Sequence, residues 1–292
     1  MKPRSDFTEL TQQVRKIAIK LGADLVGVAP VERFKIPPLD EDKVYGYLPT
    51  GYQPEEFLPG ARNVIVIAIR QLSGVLASNV TDLDTTFVFG NFGYVHLNRT
   101  LNTLSFNIAR WLEERSWITL PLGAAGASRF DEEKYREGKT VGPLNGLFSL
   151  KRATVLAGVG RRAKNGLVAT PRYGTKVRLG ALITTAPLEG SPLLKGAPCP
   201  SSCNICVKAC PMHAINTEGR IDHIKCFSDC GRRGKTVEEV EDRIMKSHTL
   251  WKPTTDYTAN EHSAIDGFGN RLCRSVCMAF CPLDEKTNPN NA

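Results

Sequence analysis

The apolar positions in the first part of the chain predict helices and strands in alternation. Residues 6 to 21 carry an apolar stripe at helical spacing, with Asp6 and Glu9 as a cap at its start and Gly22 at its end. ADLVGVAPV and NVIVIAI are short β-branched runs, typical of buried strands, and a proline- and glycine-rich loop separates them. A second stripe runs over residues 101 to 115. We expect these stripes to form a core.

The pattern changes after Thr154, where glycines and basic residues interrupt the apolar runs. A helix is predicted to end at Gly158, a basic loop follows, and the strands GLVATP and VRLGALITTAPL flank a turn. Glycines beside basic side chains suit a large cofactor with phosphate or amide groups, although glycines at a helix end are usually caps. The predicted cofactor-binding residues are Gly158, Gly160, Arg161, Lys164, Asn165, Tyr173, Gly174 and Arg178.

Cysteines are absent from the first 198 residues and then occur nine times. CPSSCNICVKACP places four of them before a proline, close to the C-x2-C-x2-C-x3-C-P run that ligates iron-sulfur clusters in bacterial ferredoxins. LCRSVCMAFCP adds three more at steps of four, which would place their sulfurs on one helical face. In two-cluster ferredoxins the cysteine before proline ligates the other cluster. We therefore predict two [4Fe-4S] clusters with crossed ligands.

The predicted ligands fall into two sets, each drawn from both motifs. The first set is Cys199, Cys203, Cys206 and Cys281. The second set is Cys210, Cys273, Cys277 and one further residue, for which spacing leaves Cys226 and Cys230 open. Both motifs have one residue more in their first gap than the ferredoxin pattern.

Two other uses of clustered cysteines fit less well. A disulfide framework is typical of short secreted domains, and zinc sites usually pair two separated CxxC units without a following proline. The start, MKPRSDFTEL, has no apolar segment like that of a signal peptide. No apolar run reaches the roughly eighteen residues of a membrane span. We expect a cytoplasmic protein.

The net charge of +8 is unevenly distributed along the chain. From Gly196 onward, twelve Lys or Arg residues face twelve Asp or Glu residues, so the basic excess lies upstream. A basic surface can meet a nucleic acid, an acidic cofactor tail or an acidic redox partner, or it can simply be solvated. Charge therefore leaves nucleic-acid binding open.

Taken together, several segments resemble the epoxyqueuosine reductases and their relatives, the reductive dehalogenases. They are KIAIKLGADLVGVAP, AGVGRRAKNGLVATPRYGTKVRLGALITTAPL, CPSSCNICVKACP, IDHIKCF and GNRLCRSVCMAFCP. The resemblance implies an α+β fold with two domains. A nitroreductase-like α/β sandwich at residues 1–195 would hold base-off cobalamin. A bacterial ferredoxin-like domain at residues 196–292 would carry the two clusters. The resemblance also favours Cys226 over Cys230 as a ligand.

The resemblance implies an oxidoreductase that passes electrons through both clusters to cobalamin. A low-potential donor such as ferredoxin or flavodoxin would supply them, and the substrate would be a small molecule or a modified nucleoside. Epoxyqueuosine reductases have an aspartate proton donor before the AGxG helix, but the corresponding position here is Leu144 or Asn145. The predicted catalytic residues are instead Tyr94, Tyr135 and Arg178, with Arg129 and Lys139 as further basic helpers.

Two alternatives stay open. The missing aspartate favours an electron carrier or a corrinoid-reducing activator with no substrate of its own. An FMN-dependent reductase on the same fold would use the basic loop, with Arg161, Arg162 and Lys164 on the phosphate.

Overall fold

The computed structural model describes residues 4–35, 53–78, 88–124, 148–222, 226 and 276–283. Several predicted residues lie outside these ranges: Arg129, Tyr135, Lys139, Leu144, Asn145, Cys230 and Cys273.

The described segments contain both helices and strands. The helical elements are α1 (Arg4–Lys20), a 3-10 helix (Val31–Lys35), α2 (Pro54–Phe57), α3 (Ser73–Ala77), a π-helix (Phe89–Val95), α4 (His96–Glu113), α5 (Leu150–Leu156), α6 (Ile205–Ala209) and α7 (Val276–Ala279). The strands are β1 (Leu25–Pro30), β2 (Asn63–Arg70), β3 (Thr119–Gly123), β4 (Arg161–Arg162), β5 (Val168–Ala169) and β6 (Val177–Thr184).

A four-stranded sheet in the order β1-β2-β6-β3 forms the centre of the described fold, and every pairing in it is antiparallel. In β2 all residues but the last are buried, as expected for a strand covered on both faces. The register places Ile69 opposite Arg178 and Arg70 opposite Val177. The predicted α+β class is confirmed.

The sheet lies between two apolar layers. Alternate residues of β2 point to opposite faces, so Ile65 and Ile67 pack with α1 and α4, while Val64 and Val66 pack with α5 and the 3-10 helix. Leu101, Ile108 and other apolar residues of the second predicted stripe are buried on the α4 side. The stripes read from the sequence therefore form core, as predicted.

Three local predictions differ from the structure. Helix α1 begins at Arg4, so Asp6 lies inside its first turns and is not the residue before the helix. Arg161 and Arg162, predicted as loop, form the short strand β4 against β5. Strand β3 was not predicted, because Thr119–Gly123 is only five residues long and includes Pro121, which is tolerated here because β3 is an edge strand. Within the described residues, no helix is long and apolar enough to cross a membrane.

Candidate functional site

The turn between β4 and β5, residues 163–167, contacts residues of both predicted cysteine sets. It is closed by two backbone hydrogen bonds, from Ala163 N to Leu167 O at 2.9 Å and from Gly166 N to Ala163 O at 2.9 Å. Gly166 has φ of 71°, and a Cβ there would overlap the side chain of Ile221. Only glycine therefore suits a turn held this closely against the cysteine-bearing part of the chain.

The first predicted cysteine set gathers beside this turn. Cys199 and Cys281 pack with Ala163 in one apolar group. The charges of Cys199, Cys203 and Cys281 all act on Cys206. Burial, followed by these neighbouring charges, raises the pKa of Cys206 to about 11. Four cysteines from two distant motifs therefore lie near one another.

The second set lies in a neighbouring apolar group. Cys210, Cys226 and Cys277 pack there with Ala214 and Ile215, and Cys206 lies in the same group. The fourth predicted member, Cys273, is outside the described residues. Because α7 ends at Ala279, Cys281 follows the helix and lies with Cys199 instead. The prediction that Cys277 and Cys281 share one helical face is therefore wrong.

The chemistry of both sets fits iron-sulfur clusters. Backbone N–H groups donate to two of the sulfurs, from Lys164 to Cys199 Sγ at 3.4 Å and from Ala214 to Cys210 Sγ at 3.4 Å. Cluster-bound thiolates accept such hydrogen bonds. Among the described residues, no group of three His, Cys, Asp or Glu side chains could hold a single metal ion. A cubane spreads its thiolates around several irons and does not require that closeness.

Packing within the chain accounts for the three glycines assigned to the cofactor. Gly158 caps α5 with φ of 65°, its N–H donating to Val155 O and that of Val159 donating to Thr154 O. A Cβ at Gly160 would overlap the side chain of Val168. A Cβ at Gly174 would overlap the backbone of residue 283. A role in cofactor contact is not needed to explain them.

The basic residues of the hairpin point into the protein. Arg161, Arg162 and Lys164 are all buried. Arg161 donates to Leu194 O at 3.1 Å, and the Lys164 ammonium donates to Cys203 O at 2.7 Å. Binding an FMN phosphate through these side chains would require breaking contacts that they make within the chain.

Tyr173 lies between β5 and β6 in the chain, near the end of β2. Its hydroxyl donates to Asp24 Oδ1 at 3.4 Å, and Asp24 Oδ2 accepts from the Arg70 backbone at 2.8 Å. Burial, followed by the negative charge of Asp24, raises the pKa of Tyr173. The phenol is therefore held in its neutral form as a hydrogen-bond donor.

Two of the predicted catalytic residues, Tyr94 and Arg178, are in contact. The Arg178 guanidinium lies over the Tyr94 ring, 4.2 Å from its centroid. It also donates to Asn98 Oδ1 through Nε at 3.1 Å and Nη2 at 2.7 Å. Asn98 follows Tyr94 by four residues, where the π-helix runs into α4, so both side chains reach the start of β6. Asn98 was not predicted, although its spacing from Tyr94 is visible in the sequence.

Lys151 is a second residue that sequence reasoning missed. Its ammonium donates to Gly166 O at 2.8 Å. Burial lowers the pKa of Lys151 to about 7, and the charge of Arg162 acts in the same direction. Cys226, Cys277 and Arg178 also act on it electrostatically. Lys151 is thus anchored to the β4 and β5 turn and lies within electrostatic reach of the second cysteine set.

Two buried side-chain oxygens, one just after β2 and one just before β6, offer a test of the predicted corrinoid. Gln71 Nε2 donates to Gly93 O at 2.9 Å, which places this amide against the π-helix. In the described part of the chain, Gln71 Oε1 and Thr175 Oγ1 are buried and have no hydrogen-bond partner. The amide side chains of a corrinoid are suitable donors to such oxygens. These residues therefore fit the predicted cofactor.

Comparison with known proteins confirms the resemblance seen in the sequence. The chain is 25% identical over 248 residues to the epoxyqueuosine reductase of Staphylococcus aureus, and 27% identical over 244 residues to that of Vibrio cholerae. These alignments cover 77% and 76% of this chain but only 57% and 58% of those proteins. A 72-residue segment, 25% of this chain and 18% of the relative, is 44% identical to the Listeria monocytogenes enzyme. No protein-family profile matches the chain.

Solved structures share the fold. A crystal structure of epoxyqueuosine reductase with an epoxyqueuosine-modified tRNA-Tyr stem loop matches 96% of this chain and 66% of its own, with a TM-score of 0.55 and 20% identity. A reductive dehalogenase structure matches 96% of this chain and 39% of its own, with a TM-score of 0.56 and 16% identity. The chain thus has the fold of these solved proteins, and it spans just over half the length of its Staphylococcus aureus and Vibrio cholerae relatives.

Proposed function

We propose that this chain is an iron-sulfur oxidoreductase that delivers electrons through two [4Fe-4S] clusters to a base-off cobalamin. In this proposal, residues 1–195 form the cofactor domain and residues 196–292 the cluster domain. Bound cobalamin would supply a low-potential reducing centre for chemistry on a substrate. The relatives that share its sequence are named for a reductase, which supports this class of chemistry.

One observation carries the proposal: the two predicted cysteine sets adjoin one another. Cys206 belongs to the first predicted set yet packs with Cys210 of the second. The charges of Cys277 and Arg178 both act on Lys151, so these two residues lie within electrostatic reach of one buried group. The two sets would therefore hold adjacent clusters, an arrangement suited to passing electrons on to the cofactor.

Tyr94 is the proposed proton donor among the described residues. Reduction of a substrate needs protons as well as electrons, and a tyrosine hydroxyl is a suitable donor when it is held in place. Arg178 holds the Tyr94 ring by stacking on it, and Asn98 in turn fixes the guanidinium. Tyr135, with Arg129 and Lys139, remains a second proposal from the sequence.

The proposed substrate is a modified nucleoside or another small molecule that can be reduced at the cofactor. The neighbour solved with an epoxyqueuosine-modified tRNA stem loop supports the first possibility. The basic excess upstream of Gly196 is suited to a nucleic acid or to an acidic redox partner. A low-potential ferredoxin or flavodoxin is the proposed electron donor.

The decisive experiment begins with protein purified without oxygen. We expect about eight iron and eight sulfide per chain, as two cubanes require. Added cobalamin should bind with the spectrum of a base-off corrinoid. When dithionite or reduced flavodoxin is supplied, the protein should then reduce the epoxyqueuosine of an added RNA stem loop. Zinc without sulfide, or no corrinoid binding, contradicts the proposal. Reduction of cobalamin without any substrate turnover would point to the activator alternative.

A further inference from the structure

The ammonium group of Lys164 is enclosed by the loop that carries the first cysteine set. Lys164 is only 6% exposed. Its Nζ donates to Cys203 O at 2.7 Å, to Asn204 Oδ1 at 2.9 Å and to Ser201 O at 3.5 Å. Three oxygens from one short loop thus surround one cation, which is a well-satisfied environment for a buried charge.

The backbone of Lys164 contacts the same set independently. Its N–H donates to Cys199 Sγ at 3.4 Å. The Lys164 ammonium lies against the segment between Cys199 and Cys206, since it donates to Cys203 O and Asn204 Oδ1. One residue therefore brings both a hydrogen bond and a positive charge to the first set.

The next residue of the turn faces the other set. Asn165 is buried, and its Nδ2 donates to Cys277 O at 3.1 Å. Its Oδ1 accepts from Leu167 N at 3.2 Å, so the side chain is fixed within the hairpin. Adjacent residues of one turn thus reach cysteine loops that are far apart in the sequence.

We infer that the turn of the β4 and β5 hairpin holds both cluster sites in place. We further infer that Lys164 is a positioning residue that raises the reduction potential of the first cluster. This inference rests on the proposed function, because it needs the clusters. Reduction of a cubane adds one negative charge, which a nearby buried cation and an N–H···S hydrogen bond both stabilise. Removing the cation should make this cluster harder to reduce.

Three substitutions separate the effect of the Lys164 charge from that of its hydrogen bonds to the cysteine loop. Lys164→Gln keeps a hydrogen-bond donor for the loop oxygens but removes the charge, whereas Lys164→Arg keeps the charge. Lys208→Gln is the matched control, because Lys208 lies between Cys206 and Cys210 in sequence but its side chain is exposed. Water screens an exposed charge, so its loss should change the potential little.

The measurement is a redox titration of the holoprotein followed by electron paramagnetic resonance, with iron and sulfide determined on each sample. We expect Lys164→Gln to lower the ratio of reduced to oxidised first cluster about tenfold at a fixed potential, which is 59 mV for a one-electron couple. Lys164→Arg and Lys208→Gln should stay within about twofold of the wild type, that is within about 18 mV by the same relation. Asn165→Ala should alter the signal of the second cluster and leave the first unchanged.

Each outcome decides the inference. Full iron with an unchanged potential in Lys164→Gln overturns it, as does an equal shift in Lys208→Gln. If Lys164→Gln does not bind the first cluster, then cluster binding with a wild-type potential in Lys164→Arg supports the inference. If both variants fold like the wild type and neither binds the first cluster, the role of charge is overturned. Wild-type protein without clusters would instead refute the proposed function itself. Absence of cobalamin would leave this test unaffected.

Discussion

The backbone of Gly174 lies directly against the backbone carbonyl of Leu283, so that a Cβ on Gly174 would overlap this oxygen. Gly174 lies between β5 and β6, and Leu283 follows Cys281 by two residues. The segment that carries Cys281, the last predicted ligand in the chain, therefore packs directly against a glycine. Since Gly174 also has φ of 53°, both space and backbone conformation require this residue type.

Gly174→Ala should therefore displace the segment around Cys281 and release the first cluster. We expect iron to fall from about eight to about four atoms per chain, because each cubane holds four. Gly60→Ala is the control: Gly60 has φ of 77°, yet a Cβ there would meet only Thr185 Cγ2, at 4.0 Å. This control should cost about 1 to 2 kcal/mol of backbone strain and retain both clusters. Equal iron content in both variants would show that the first cluster does not depend on close packing at Gly174.

Tyr94→Phe should reduce turnover without removing either cofactor. The change deletes only the hydroxyl, so the ring can still stack under Arg178. We expect a loss of about 10² to 10⁴ in kcat, the usual contribution of a positioned proton donor. Corrinoid binding and iron content, measured on the same sample, should be unchanged.

The double variant Tyr94→Phe with Tyr135→Phe extends this test to the second sequence candidate. If turnover survives in the double variant, neither tyrosine supplies the proton. If Tyr94→Phe alone is fully active and the double variant is not, the role belongs to Tyr135.

Cys226→Ser and Cys230→Ser should differ in iron content. Cys226 lies with Cys210 and Cys277, so its loss should remove the second cluster and leave about four irons per chain. Cys230 is the spare cysteine in the predicted assignment, and its replacement should leave about eight. Iron and sulfide analysis of the two variants distinguishes them, and the reverse pattern would exchange their roles.

Lys151→Met should change how stability depends on pH. Burial lowers the pKa of Lys151 to about 7 from an ordinary value of 10.5. Between these pH values the unfolded chain binds a proton that the folded chain has released, so this group makes stability rise with pH. Below about pH 7 both states are protonated, and the folded state bears the full cost of the buried charge.

We therefore expect the methionine variant to be more stable than the wild type near about pH 6, with the difference shrinking towards about pH 9. The measurement is the free energy of unfolding of the holoprotein across that range, without oxygen. Lys16→Met is the control, because the exposed Lys16 should not alter the pH dependence. Parallel curves for wild type and Lys151→Met would show that Lys151 does not titrate in this window.

Local features were predictable from the sequence because they depend on residues close together in the chain. The spacing of the cysteines predicted iron-sulfur clusters, since several thiolates must converge on one centre. The apolar stripes over residues 6 to 21 and 101 to 115, and the β-branched runs of β1 and β2, identified the core, while the family resemblance implied the α+β class. The resemblance to epoxyqueuosine reductases also followed from motifs that lie in sequence order.

Only the tertiary structure decided which distant residues meet. Asn165 contacts Cys277 across 112 positions, and Arg178 contacts Asn98 across 80. Such contacts depend on how whole segments pack, and no local period encodes them. For the same reason Lys164, predicted to bind a cofactor, is seen enclosed by the cysteine loop, and the glycines beside it serve close packing within the chain. The sequence established the cysteine motifs, while packing established the hairpin turn that joins them.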